Sequence, residues 1–149
     1  MKWELTKTLN GSDYWTLIGN DEKAILRFNE QANSIRLIRD NQRLYFMERK
    51  GVLQSKVMLR TEYSVVIGES FFGRNHLSGI VNLQQLKYSF RLNGDQLTLK
   101  NRNKEAVSEL TIPGVKYLEL FEFSALLFGT ALMSVRLGNI AQVQTSLVA

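Results

Sequence analysis

The chain has 149 residues, 44% of them hydrophobic and 22% charged, with a formal net charge of +5. That balance belongs to an ordinary globular protein and excludes a disordered, collagen-like or coiled-coil chain. With no cysteine and one histidine, disulfides, thiolate nucleophiles, cysteine-ligated metal centres and two-histidine metal sites are also excluded. The length predicts one domain, 1–149, around one core.

The N-terminal run Met1-Lys2-Trp3-Glu4-Leu5-Thr6-Lys7 has no basic region followed by a long apolar stretch. A secretory signal is therefore not expected, and a cytoplasmic location is. From there the chain reads as short strands at 3–9, 14–18, 24–28, 34–38, 44–48, 56–60, 63–67, 78–83, 86–92, 96–100 and 106–112. Asn10-Gly11-Ser12-Asp13, Gly19-Asn20-Asp21, Asn29–Asn33, Asp40-Asn41, Asn93-Gly94-Asp95 and Asn101-Arg102-Asn103 separate them. Asn and Gly accept the positive φ that tight hairpins require. Strands repeating at this rhythm predict a sandwich or a barrel.

The period of two is clearest around the Asn93-Gly94-Asp95 hairpin. Tyr88, Phe90 and Leu92 alternate with Lys87, Ser89 and Arg91, and Leu97 and Leu99 alternate with Gln96, Thr98 and Lys100. One buried face and one wet face mark an antiparallel sheet.

After Pro113-Gly114 the pattern changes. Between Glu122 and Arg136 lies the charge-free run FSALLFGTALMSV. Spanning a bilayer takes roughly 20 apolar residues, so this run predicts a buried helix instead. Its Ala, Leu, Met and Phe favour helix, and no polar stripe interrupts it. Ser124, Thr130 and Ser134 can bond back to the helix backbone. Gly138-Asn139 predicts the stop, giving a helix over about 121–137. Residues 140–149 fit either a last strand or a short helix.

A helix apolar on every side must be enclosed on every side. An open sheet covers one flank, whereas a barrel covers all of them and leaves no edge exposed. The expected fold is therefore mainly β: an antiparallel closed β-barrel of about 12 short strands surrounding a hydrophobic C-terminal α-helix.

This layout resembles the tubby C-terminal-like superfamily, which includes the LURP-one-related proteins and, more distantly, the phospholipid scramblases. The units that carry the likeness are RLYFMERKG from 43, YSVVIGE from 63, KYSFRLNGDQLTLKN from 87 and FSALLFGTALMSV from 123. The resemblance covers nearly the whole chain. It implies a barrel around a central helix, and binding of phosphoinositide or other lipid headgroups through basic residues on the barrel. The chain departs from the scramblases in having no cysteine to palmitoylate and no acidic calcium loop.

Charge adds its own indication. Residues 33–60 carry net +5 and residues 84–104 net +4, while the remainder is near neutral or negative. If the two segments adjoin, they form one anion-attracting face; otherwise they are two solvated strand faces. The candidate anion contacts are Arg36, Arg43, Arg49, Lys50, Lys87, Arg91, Lys100 and Arg102. Phe71 and Phe72, flanked by glycines and followed by Arg74, are read as a loop tip that dips into a membrane or grips a partner. The same residues have a plainer reading, in which one Phe plugs an open barrel end.

Chemistry is otherwise sparse. His76 with Ser70 and Glu69 is the one grouping that suggests a small hydrolase, and its spacing matches no known motif. Glu119 and Glu122 stand at i,i+3, which suits the first turn of the apolar helix. No glycine-rich phosphate loop and no nucleic-acid motif is present, although Tyr45 lies among Arg43, Arg49 and Lys50. The expectation is a non-enzymatic binding module with no cofactor and no metal. Its expected partner is an anionic lipid or membrane surface, or alternatively another protein, and nucleic acid is not expected.

Overall fold

Leu9 and Ser12 pair across a two-residue turn, Asn10-Gly11, whose φ angles are 52° and 77°. Positive φ at both central residues gives the turn whose twist matches that of the strands it joins, and Asn-Gly accepts it at least cost. The computed structural model describes residues 1–19, 24–38, 43–51, 56–73 and 75–148, with side chains as far as Ser134. Among the described residues eleven strands form one sheet. They are β1 (Lys2–Leu9), β2 (Ser12–Ile18), β3 (Ala24–Asn29), β4 (Ser34–Ile38), β5 (Leu44–Lys50), β6 (Lys56–Thr61), β7 (Val66–Phe72), β8 (Ser78–Leu83), β9 (Leu86–Asn93), β10 (Gln96–Lys100) and β11 (Ala106–Thr111). A 3₁₀ turn at Val115–Tyr117 leads to helix α1, Leu120–Val148.

Each strand pairs antiparallel with its sequence neighbour, and β11 returns to β1 to close a barrel. Direction alternates along such a meander. With an odd number of strands the first and last run the same way, so the closing pair must be parallel. The overlap is minimal: Lys2 opposite Thr111, with the Thr111 N–H donating to the Met1 carbonyl at 3.0 Å. The expected barrel is therefore present with eleven strands, close to the number anticipated.

The alternation read in the sequence sets the inner face. Trp15, Leu17, Leu26, Phe28, Ile35, Val57, Leu59, Val81, Leu83, Phe90, Leu97, Leu99 and Leu110 are all buried. They pack on the helix stretch 123–131, where every side chain is buried and those of Ala125, Leu126, Leu127, Phe128 and Ala131 are fully so. Each large apolar side chain placed there contributes roughly 1.5–3 kcal/mol. Small residues let the wall come close: a methyl added at Gly129 would lie 3.1 Å from Leu26 Cδ1 and 3.7 Å from the Trp3 ring.

One buried hydrogen bond ties the wall to the helix beside the closing seam. Trp3 Nε1–H donates to Thr130 Oγ1 at 2.9 Å, and the Thr130 hydroxyl donates to the Leu126 carbonyl at 2.7 Å. Thr130→Val keeps the shape and leaves the indole N–H without an acceptor. It is expected to destabilise the fold by about 1–3 kcal/mol in urea unfolding. Adding Trp3→Phe, which removes the stranded donor, should recover part of that loss.

Three expectations need correction. The strand placed at 63–67 lies further on, as β7. The Thr61 hydroxyl accepts from the N–H groups of Tyr63 and Val65, and Ser64 takes φ 63°, so this stretch is a turn. Helix α1 does not stop at Gly138-Asn139 but continues to Val148, so residues 140–148 are helical. Thr130 and Ser134 do bond back to the carbonyls of Leu126 and Thr130, but the buried Ser124 hydroxyl has no partner.

Candidate functional site

The outward residues of β9 and β10 are Lys87, Ser89, Arg91 and Gln96, Thr98, Lys100, because their neighbours Tyr88, Phe90, Leu97 and Leu99 point into the core. Two hollows lie side by side on this wall. One, of about 700 Å³, is lined by Ser78, Ser89, Arg91, Thr98 and Lys100, with Glu109 its one carboxylate. The other, of about 460 Å³, is lined by Lys87, Arg102, Asn82 and Gln84, with Glu69. Register fixes the set: Thr98 stands opposite both Arg91 and Glu109, and Lys100 opposite Ser89. Lys87, Arg91, Lys100 and Arg102 form no ion pair with any described residue. Four free cations among hydroxyl and amide groups match the oxygens of a phosphate.

The other basic segment lies elsewhere. Segment 33–60 supplies β4, β5 and β6, and segment 84–104 supplies β9 and β10, so β7 and β8 part them on one side of the ring and β11, β1, β2 and β3 on the other. The two segments are therefore not neighbours in the sheet, although Lys56 reaches Glu69 at the edge of the smaller hollow. Several cations of the first segment are already engaged. Glu48 pairs with Lys50 at 4.0 Å and with Arg60 at 3.1 Å, and Glu69 pairs with Lys56 at 3.2 Å. The Arg49 guanidinium lies 5.9 Å from the centre of the Phe121 ring, at the end of the barrel where α1 begins. Arg43 is exposed at the start of β5, where its charge opposes the upward push of burial on the Tyr45 hydroxyl. Arg36 stands on the outer face of β4.

Phe71 and Phe72 do not form a tip. Both belong to β7, and adjacent residues of a strand face opposite ways. Phe71 lies on the outer wall with Lys56 Nζ 5.2 Å from its ring centre. Phe72 is buried and packs with Phe90, Phe123 and His76 at centroid distances of 5.6, 6.0 and 5.8 Å. The plainer expectation, one Phe filling the barrel end, describes Phe72. Arg74 lies outside the described residues. The same alternation parts the hydrolase grouping: Glu69 faces out to Lys56, while Ser70 is fully buried and donates to the Val57 carbonyl at 3.5 Å.

A feature the sequence did not announce sits at the mouth where α1 begins. Glu122 on the first turn of α1 meets Asp13 of β2, and its carboxyl is pushed up to about 8. Burial is the main cause, followed by the hydrogen bond and charge of Asp13 and the charge of Glu30. The Trp15 indole N–H favours the ionised form, although its contact falls short of hydrogen-bond geometry and leaves that buried donor unpaired. Asp13 and Glu122 are 109 positions apart, and only the closed barrel joins them. Among the described residues no cluster of three or more His, Cys, Asp or Glu side chains suits a metal ion. Nor, among the described residues, is any helix long and apolar enough to cross a membrane.

No family model, curated protein or solved structure matches the chain.

Proposed function

We propose that this chain is a non-enzymatic binding module whose ligand carries phosphate, in the first instance an anionic phospholipid headgroup, and that the β8–β10 wall receives it. The observation that carries this reading is the set of four cations, Lys87, Arg91, Lys100 and Arg102, that pair with no described carboxylate and line two adjacent hollows among polar side chains. Chains usually blunt exposed strands with charges, and Lys50 on β5 and Lys56 and Arg60 on β6 are matched by carboxylates. The β8–β10 wall has cations in excess of its carboxylates. Kinship with the tubby-like superfamily belongs to the same proposal, supported by a barrel threaded by one apolar helix. So does a cytoplasmic, peripheral-membrane location.

Vesicle sedimentation tests the reading. Vesicles of phosphatidylcholine with phosphatidylserine or a phosphoinositide should retain the protein, and phosphatidylcholine alone should not. Each cation near an anionic surface is worth about 1 kcal/mol, so each one removed should weaken binding about five-fold. Arg91→Gln with Lys100→Gln should therefore lose more than about ten-fold. Equal retention on neutral vesicles, or no loss in the double variant, would overturn the assignment.

A further inference from the structure

A second row of cations runs across the opposite wall. Lys7, Tyr14, Arg27 and Arg36 occupy successive register positions on β1, β2, β3 and β4. Their chain neighbours Trp15, Leu26, Phe28 and Ile35 point inward, so Tyr14, Arg27 and Arg36 project from the outer wall. Lys7 Nζ lies 4.6 Å from the centre of the Tyr14 ring, which satisfies that cation.

Arg27 and Arg36 are different. Directly paired residues in a sheet hold their Cβ atoms about 4.5–5.5 Å apart, and like charges so placed repel. Neither arginine forms an ion pair with a described residue. The flanking positions of the same rows hold Thr16, Ile25, Ile38, Asn29 and Ser34, none of them a carboxylate. Arg36 Nε is shielded from solvent and has no hydrogen-bond partner, a buried donor left open on a charged group. Elsewhere the chain supplies the missing carboxylate, as Glu48 does for Arg60 on β6. An anion bridging both guanidiniums would relieve the repulsion. Guanidinium forks suit the oxygens of phosphate.

We infer that Arg27 and Arg36 form a second anion site, separate from the β8–β10 wall, that takes a single phosphate or phosphomonoester group. The inference does not depend on the proposed function, because different residues on a different wall carry it.

The test is thermal unfolding of the full chain with rising inorganic phosphate, against sodium chloride at matched ionic strength. Phosphatidic acid vesicles, scored by sedimentation, form a second arm. The parent should show a saturable rise in Tm with inorganic phosphate, or capture by the vesicles, which tells free phosphate from a lipid headgroup. In the Arg91→Gln with Lys100→Gln background, which takes the β8–β10 wall out of both arms, Arg36→Gln should abolish the response and Arg27→Gln should weaken it at least ten-fold. Without phosphate both β3–β4 variants should melt no lower than the parent, since each removes a repulsion, so loss of response cannot be misfolding. A parent that responds in neither arm, a response in that background that survives Arg36→Gln, or an equal rise with chloride would overturn the site. Loss of vesicle binding in Arg91→Gln with Lys100→Gln, alongside an unchanged phosphate response, would separate the two readings.

Discussion

Gly79→Ala is expected to cost about 3 kcal/mol or more in urea unfolding, the largest effect of any single methyl added to this chain. Gly79 lies on β8, opposite Phe72 on β7 and Phe90 on β9. The two rings meet edge to face at 5.6 Å over the space its side chain would occupy. A methyl there would run into the Phe71 carbonyl oxygen and approach Phe90 Cε1 and Cζ to 2.8 Å. The carbonyl is part of the β7–β8 ladder and cannot yield without breaking it. The Phe90 ring cannot yield without disturbing Phe123, which it also meets edge to face at 6.0 Å. Gly94→Ala is the control. Gly94 has φ 60° and open space around it, so only the left-handed backbone is penalised, at about 1–2 kcal/mol. A loss below about 1 kcal/mol at Gly79 would mean that the rings do not pack as described.

The second large effect depends on pH. Glu122 ordinarily titrates near 4.5 and is raised to about 8 in the fold. The folded state therefore holds this proton more tightly than the unfolded chain does. Its stabilising contribution is complete below the ordinary value and is lost as pH rises through about 8. The carboxyl sits at a barrel mouth within reach of water, so the swing is about 1–2 kcal/mol after screening. Glu122→Gln keeps a hydrogen-bonding group toward Asp13 and cannot ionise. Its stability should match the parent near about pH 5 and exceed it near about pH 9 in urea titrations. Parallel curves for the two proteins across that range would remove the carboxyl pair as the cause.

These two sites differ in how far the sequence announced them. The alternation at Tyr88, Phe90, Leu97 and Leu99 gave the inner face directly, and the unbroken apolar run from Phe123 required enclosure on all flanks. The outward placement of Lys87, Arg91 and Lys100 followed from the same period of two. The position of β7 did not, because a threonine hydroxyl bonding two residues ahead makes a turn from residues with high strand preference. Phe71 and Phe72 looked like a loop tip because glycines flank them. Gly68 and Gly79 instead let Phe128 and Phe90 press against the sheet. The Arg27–Arg36 pair depends on the register of the β3–β4 hairpin, and the parting of the two basic segments and the Asp13–Glu122 contact depend on strand order around a closed ring. Local pattern does not encode that order.

The axle of this barrel is synthesised after its wall. Every wall strand precedes residue 112, and the helix that fills the barrel begins at Leu120. A ribosome therefore releases the hairpins in turn before any of them has its filling, and their inner faces stay wet until the helix follows. Local pairs such as β9–β10 can form early, whereas closure at Lys2–Thr111 joins residues from the two ends of the wall. A chain halted before Leu120 should accordingly remain protease-sensitive, and resistance should arrive in one step once the helix clears the exit tunnel.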